Sequence, residues 1–99
     1  MATRRSDEHE LALPAGADAE LMHDVVERAA GRVGLHISHI GGYSRRKYPG
    51  SVHWHLKRGR REVGVLDLTF WDVGERFWLT VRHREPDWAH AIVPTSWTR

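Results

Sequence analysis

From Asp18 onward, apolar residues recur at Leu21, Met22, Val25, Val26 and Ala29, a spacing that places them on one stripe of a helix. Asp18 stands where an N-cap belongs, carboxylates (Glu20, Asp24) precede arginines (Arg28, Arg32) as the helix dipole favours, and Gly31 and Gly34 offer the stop. Residues 35–40 then largely alternate apolar and polar side chains, as a half-buried strand does, until Gly41 and Gly42 interrupt them. Three further alternating runs, 51–58, 63–71 and 76–83, are joined by connections short enough for hairpins, which predicts an antiparallel meander. Pro86, with Trp88 and Ile92 four apart, predicts one or two helical turns ended by Pro94.

The fold class expected is α+β: one main N-terminal helix packed on a three- to four-stranded antiparallel meander, with a short C-terminal helix. The order is α-β-β-β-β-α, or α-β-β-β-α if residues 35–40 stay outside the sheet. Residues 1–16 lack apolar periodicity and read as a disordered tail, 17–94 as a single domain and 95–99 as a C-terminal tail.

A four-residue turn at 72–75 would pair Trp71 with Arg76, Thr69 with Trp78, Asp67 with Thr80 and Val65 with Arg82. The intervening pairs, Phe70 with Phe77, Leu68 with Leu79 and Leu66 with Val81, are apolar, and a one-residue slip would destroy all of them. Setting Val52 against Leu68, Trp54 against Leu66 and Leu56 against Gly64 extends this core face. The opposite face then carries Ser51, His53, His55, Asp67, Thr69, Trp78, Thr80 and Arg82, with His53 opposite Asp67 and no second long helix to cover it.

Charge sharpens the picture where total composition does not. The net charge is +2, but residues 1–32 hold four Arg against seven carboxylates, and residues 33–99 hold eleven Lys or Arg against six. The absence of cysteine removes disulfides, thiolate metal sites and thiol nucleophiles together. No apolar run reaches the ~20 residues that cross a bilayer, and residues 1–8 lack the apolar stretch of a secretory signal, so a cytoplasmic location with no membrane partner is expected.

The outer face would display Trp71 and Trp78 as stacking platforms, with Arg76, Arg82, Lys57 and the loops bearing Arg45, Arg46, Lys47, Arg58, Arg60 and Arg61 available to phosphates. This predicts a nucleic-acid-binding module, RNA preferred over DNA. The helix-then-sheet order resembles the double-stranded RNA-binding fold and a toxin fold built on it, whose Gly-Ser-His element is approximated by Gly50-Ser51-Val52-His53, with the His displaced by one residue. The same aromatic face suits a homodimer or other protein partner, since Trp and Arg are enriched at interface hot spots. A third reading is a small His-dependent, ribonuclease-like hydrolase using His53, Asp67 and Arg82.

His53, His55 and Asp67 are the residues with metal-ligand chemistry on that face. No cofactor is implied, and no nucleophile identifies an enzyme. His36 and His39, three apart, belong on opposite faces of a regular strand. His83 and His90 read as structural imidazoles.

Overall fold

The computed structural model describes residues 6–42 and 47–92. The elements run β1 (Ser6–Glu10), α1 (Ala19–Arg32), β2 (His36–Gly42), β3 (Val52–Lys57), β4 (Leu66–Trp71), β5 (Arg76–Arg82) and α2 (Asp87–Ala91). All five strands form one antiparallel sheet in the order β1-β5-β4-β3-β2.

Helix α1 is set by its own ends. The Asp18 carboxylate accepts from the Leu21 N–H at 2.8 Å. At the other end Gly34 takes φ +77°, Leu35 N–H donates to Ala30 at 2.8 Å and Gly34 N–H to Gly31 at 3.3 Å, the paired closure of a Schellman stop. Of the expected stripe Leu21 is exposed and Val25 partly buried, while Met22, Val26 and Ala29, together with Ala30, enter the core. They meet Trp54, Leu56, Leu66, Leu68, Phe70, Phe77, Leu79 and Val81 from one face of the sheet. The indole N–H of buried Trp54 donates to His23 Nδ1 of the helix at 3.2 Å, so the helix also satisfies the one polar atom of that side chain.

The β4–β5 register is the expected one, with Leu68 opposite Leu79, Phe70 opposite Phe77 and Thr69 opposite Trp78. The β3–β4 register is not: Val52 pairs with Phe70, Trp54 with Leu68 and Leu56 with Leu66, two residues from the expectation. Its cause lies at residues 63–65, which bond to the C-terminal segment instead of extending β4. Trp88 Nε1 donates to the Val63 carbonyl at 3.0 Å, and Val65 N–H donates to Glu85 at 3.2 Å. Gly64, at φ +118°, lies so close to Pro86 and Trp88 that a Cβ would stand 2.7–2.8 Å from them. A two-residue shift keeps every side chain on its face but changes its neighbours, so Asp67 faces His55 and not His53.

Two further differences concern the edges. Residues 6–10, expected in a disordered tail, form β1 against β5, making five strands where three or four were expected. This strand has no apolar stripe. It is held by its backbone ladder, by buried Leu11, whose N–H donates to Phe77 at 2.8 Å, by Arg76 on Glu10 and by His83 on Asp7 at 3.2 Å. The resulting order, β-α-β-β-β-β-α, departs from that of the double-stranded RNA-binding fold. At the other edge, residues 35–40 do contribute a strand, but it bulges at Ser38, whose hydroxyl donates to the His55 carbonyl at 3.1 Å. The expected stop at Pro94 and the 95–99 tail lie outside the described residues.

Leu68 is fully buried between α1 and the sheet. Leu68→Ala is expected to cost about 2–5 kcal/mol, and Leu68→Asp to abolish the cooperative thermal transition, both read by circular dichroism; a wild-type-like melt of Leu68→Asp would contradict this core.

Candidate functional site

The outer face divides into an aromatic end and an imidazole end. At the aromatic end the tryptophans are not open platforms. Trp78 is 1% exposed, because the Arg76 guanidinium lies 4.2 Å above its ring and the Tyr48 ring packs 4.9 Å away. Tyr48 also meets Trp71 edge-on at 5.2 Å, and Trp71 Nε1 donates to the Pro49 carbonyl at 3.0 Å. The expected stacking surface is therefore already occupied by the segment preceding β3. Alternation placed both tryptophans on the correct face but could not tell where that segment folds.

Several nominated cations are also committed within the chain. Arg76 is bound by Glu10, Arg82 by Asp67 at 3.0 Å and Arg58 by Glu62 at 2.6 Å. Arg58 also lies 5.2 Å from the Trp88 ring, and Lys47 5.5 Å from that of Tyr48. Lys57, Arg60 and Arg61 form no ion pair among the described residues. Arg45 and Arg46 lie outside the described residues.

The imidazole end is built around Asp67, which is 3% exposed. Its Oδ2 receives Arg82 Nη1 at 3.0 Å from β5, and its Oδ1 faces His55 Nε2 at 3.1 Å from β3. The latter is a close polar contact without the alignment of a linear hydrogen bond. A buried carboxylate without cations would bear a desolvation cost of several kcal/mol, and these two neighbours answer it from both flanking strands. With Nε2 turned toward the carboxylate, a proton on Nε2 is the favourable arrangement, and in a neutral ring the lone pair then falls on Nδ1.

Two other imidazoles join His55. Its ring centroid lies 5.0 Å from that of His53, two residues away on β3, and 5.2 Å from that of His39, its cross-strand partner on β2; His39 and His53 are 6.2 Å apart. The Ser38 bulge is what brings His39 here, and it also places His36 and His39 on the same face, against the expectation from their spacing. The sequence marks that bulge only by the two consecutive polar residues Ser38 and His39, where the alternation of residues 35–40 breaks. Gly41 opposite His53 leaves the space over which the rings lean: a Cβ there would stand 3.1 Å from His39 Nε2 and 3.2 Å from His53 Nε2.

Burial, then the proximity of His55, lowers the His53 pKa below its ordinary 6.5; Asp67 acts in the opposite sense and His39 lowers it further. His53 is thus a neutral base at neutral pH. The Ser51, Thr69 and Thr80 hydroxyls are buried on the same face without a hydrogen-bond partner among the described residues. The named hydrolase trio His53, Asp67 and Arg82 is brought to one neighbourhood, but His55 occupies the place beside Asp67 that was assigned to His53. As the side chains stand, no group of three or more His, Asp or Glu among the described residues is closed around a metal position. A groove of about 390 Å³ touching Leu13, Phe70, Asp72 and Glu75 involves none of these groups.

Compared with protein-family models, curated proteins and solved structures, the chain gives no significant match.

Because folding lowers the His53 pKa, the unfolded chain binds the proton more readily, and stability falls as pH drops through about 6.5 toward the depressed folded value. Urea midpoints measured between pH 8 and 5.5 are expected to fall less in His53→Gln than in the wild type. Parallel losses in both proteins would contradict the assignment.

Proposed function

We propose that the protein is a nucleic-acid-binding module, with RNA its preferred partner, and that the contact surface is the β2–β3 half of the outer face continued by the 58–62 loop. The observation that carries this reading is the polarity of the sheet. Asp7, Glu8 and Glu10 gather on β1 at one edge, whereas His36 pairs with Lys57 across β2 and β3 at the other, where Arg60 and Arg61 follow in the exposed loop. Lys57, Arg60 and Arg61 supply phosphate contacts, and half-exposed imidazoles supply rings on which unstacked bases settle. Trp71 and Trp78 brace the loop that borders this surface and do not themselves stack on bases.

The contact between His55 and Asp67 favours a second reading, a ribonuclease-like activity, because an RNA substrate brings its own 2′-hydroxyl nucleophile and the chain need provide only bases, acids and a cation. Neutral His53 is the base in this scheme and Arg82, paired with Asp67, the cation. Homodimerisation through the tryptophans is less well supported, since Trp78 is buried within one chain and both sheet edges are blunted, β1 by charge and β2 by its bulge.

Fluorescence anisotropy with labelled single-stranded RNA tests the first reading. Three phosphate contacts give a slope of log K against log salt of about −2, since each contributes roughly 0.7 on a single strand. Replacing Lys57, Arg60 and Arg61 together by Gln is expected to remove most of that slope. Absence of binding at low salt, or an unchanged slope in the triple variant, would refute it; cleavage of the RNA lost in His53→Gln would identify the second reading.

A further inference from the structure

We propose that His39, His53 and His55 form a binding site for a zinc-class divalent cation, with Asp67 as the carboxylate that orients His55. The inference does not depend on nucleic-acid binding. It begins with the backbone. The register of β2 on β3 sets His39 directly opposite His55, and the two-residue period of β3 adds His53 on the same face. Three imidazoles on two adjacent strands are thereby presented together.

Their separation fits one metal. A ring bound at about 2.0–2.1 Å has its centroid roughly 3 Å from the ion, so rings at tetrahedral angles lie about 5 Å apart. The observed separations are 5.0, 5.2 and 6.2 Å, with interplanar angles of 35–48° that exclude flat stacking. The Nε2 atoms of His39 and His53 both approach the space above Gly41, within 3.1 and 3.2 Å of the point a Cβ would take. His55, with Nε2 turned toward Asp67, has Nδ1 as its ligand atom, and the carboxylate behind it is the usual outer-shell support of a metal-binding histidine. The donors are not closed around an ion as they stand, and closure requires rotation of the rings, for which exposed His39 has the room.

The donor set determines the ion. Three neutral imidazoles suit Zn²⁺, and equally Co²⁺, Ni²⁺ or Cu²⁺ in its place, whereas Mg²⁺ and Ca²⁺ require oxygen ligands. Gly41 is part of the site because a side chain there would occupy the space between two ligand nitrogens. Its φ is not in the left-handed region, so a strand-forming residue can replace it without backbone strain. Gly42, one position on, is the natural control: among the described residues a Cβ there meets only the Ser51 carbonyl, at an ordinary 3.6 Å.

The test is calorimetric titration of the chelator-stripped full chain with ZnCl₂, alongside the visible spectrum of the Co²⁺ form, without nucleic acid. The expected result is one ion per chain and the absorption of tetrahedral Co²⁺. Gly41→Val and His53→Ala should each weaken binding by at least about tenfold, and Asp67→Asn by about 10–100-fold. Gly42→Val, His36→Ala and His90→Ala should leave it unchanged. His39→Ala, at an exposed position that the core does not require, decides the matter should Gly41→Val fail to fold, and it too should weaken binding at least about tenfold. No Zn²⁺ binding by the wild type, or binding that survives His39→Ala and His53→Ala, overturns the proposal.

Discussion

A carboxylate removed from water in the middle of a sheet must be met by donors from its neighbours, and at Asp67 they come from both sides at once. His55 reaches it from β3 and Arg82 from β5, so one buried charge ties together the three central strands on the face that the helix does not cover. Removing either partner alone would leave the charge undercompensated, which is why such pairs cost far more to break singly than to replace as a set. The imidazole cluster follows from this anchor: His55 is fixed by Asp67, His53 lies two residues along the same strand, and His39 is carried onto the face by the bulge at Ser38.

The core was legible because its residues obey the simple periods. Met22, Val26 and Ala29 of the helical stripe, its stop at Gly34 and the pairs Leu68–Leu79 and Phe70–Phe77 between β4 and β5 appear in the structure as their spacing predicts, whereas Leu21 is exposed. The outer face was legible only in membership. Which residues share it follows from alternation, but which of them touch depends on the β3–β4 register, and that is set by Trp88 and Glu85 capturing residues 63–65 from a distant part of the chain. Strand β1 was missed because it carries no apolar alternation and is held by Leu11 and two ionic contacts. The bulge that carries His39 onto this face is marked only by the two consecutive polar residues Ser38 and His39, and Trp78 was misjudged because Tyr48 covers it from a segment whose path no local rule fixes.

The two ends of the outer face thus have different physical characters. At one, aromatic rings and Arg76 pack on one another and on Glu10, and their polar atoms are largely answered within the chain. At the other, three imidazoles gather beside a compensated carboxylate while the buried hydroxyls of Thr69 and Thr80 find no hydrogen-bond partner among the described residues. Unanswered hydrogen-bonding capacity beside lone-pair donors is the chemical basis for assigning ligand contact to the imidazole end. The distribution of charge, acidic along β1 and basic beyond β3, is what supports the proposal of a phosphate-bearing partner at that end.

The arrangement stands or falls on the His55–Asp67 contact, and long-range ¹H–¹⁵N correlation spectra of the histidine side chains at neutral pH observe it directly. The predicted result is a proton held on His55 Nε2, a preference that weakens in Asp67→Asn. An Nδ1–H tautomer, or a mixture of tautomers indifferent to Asp67, would show that the carboxylate does not organise this face.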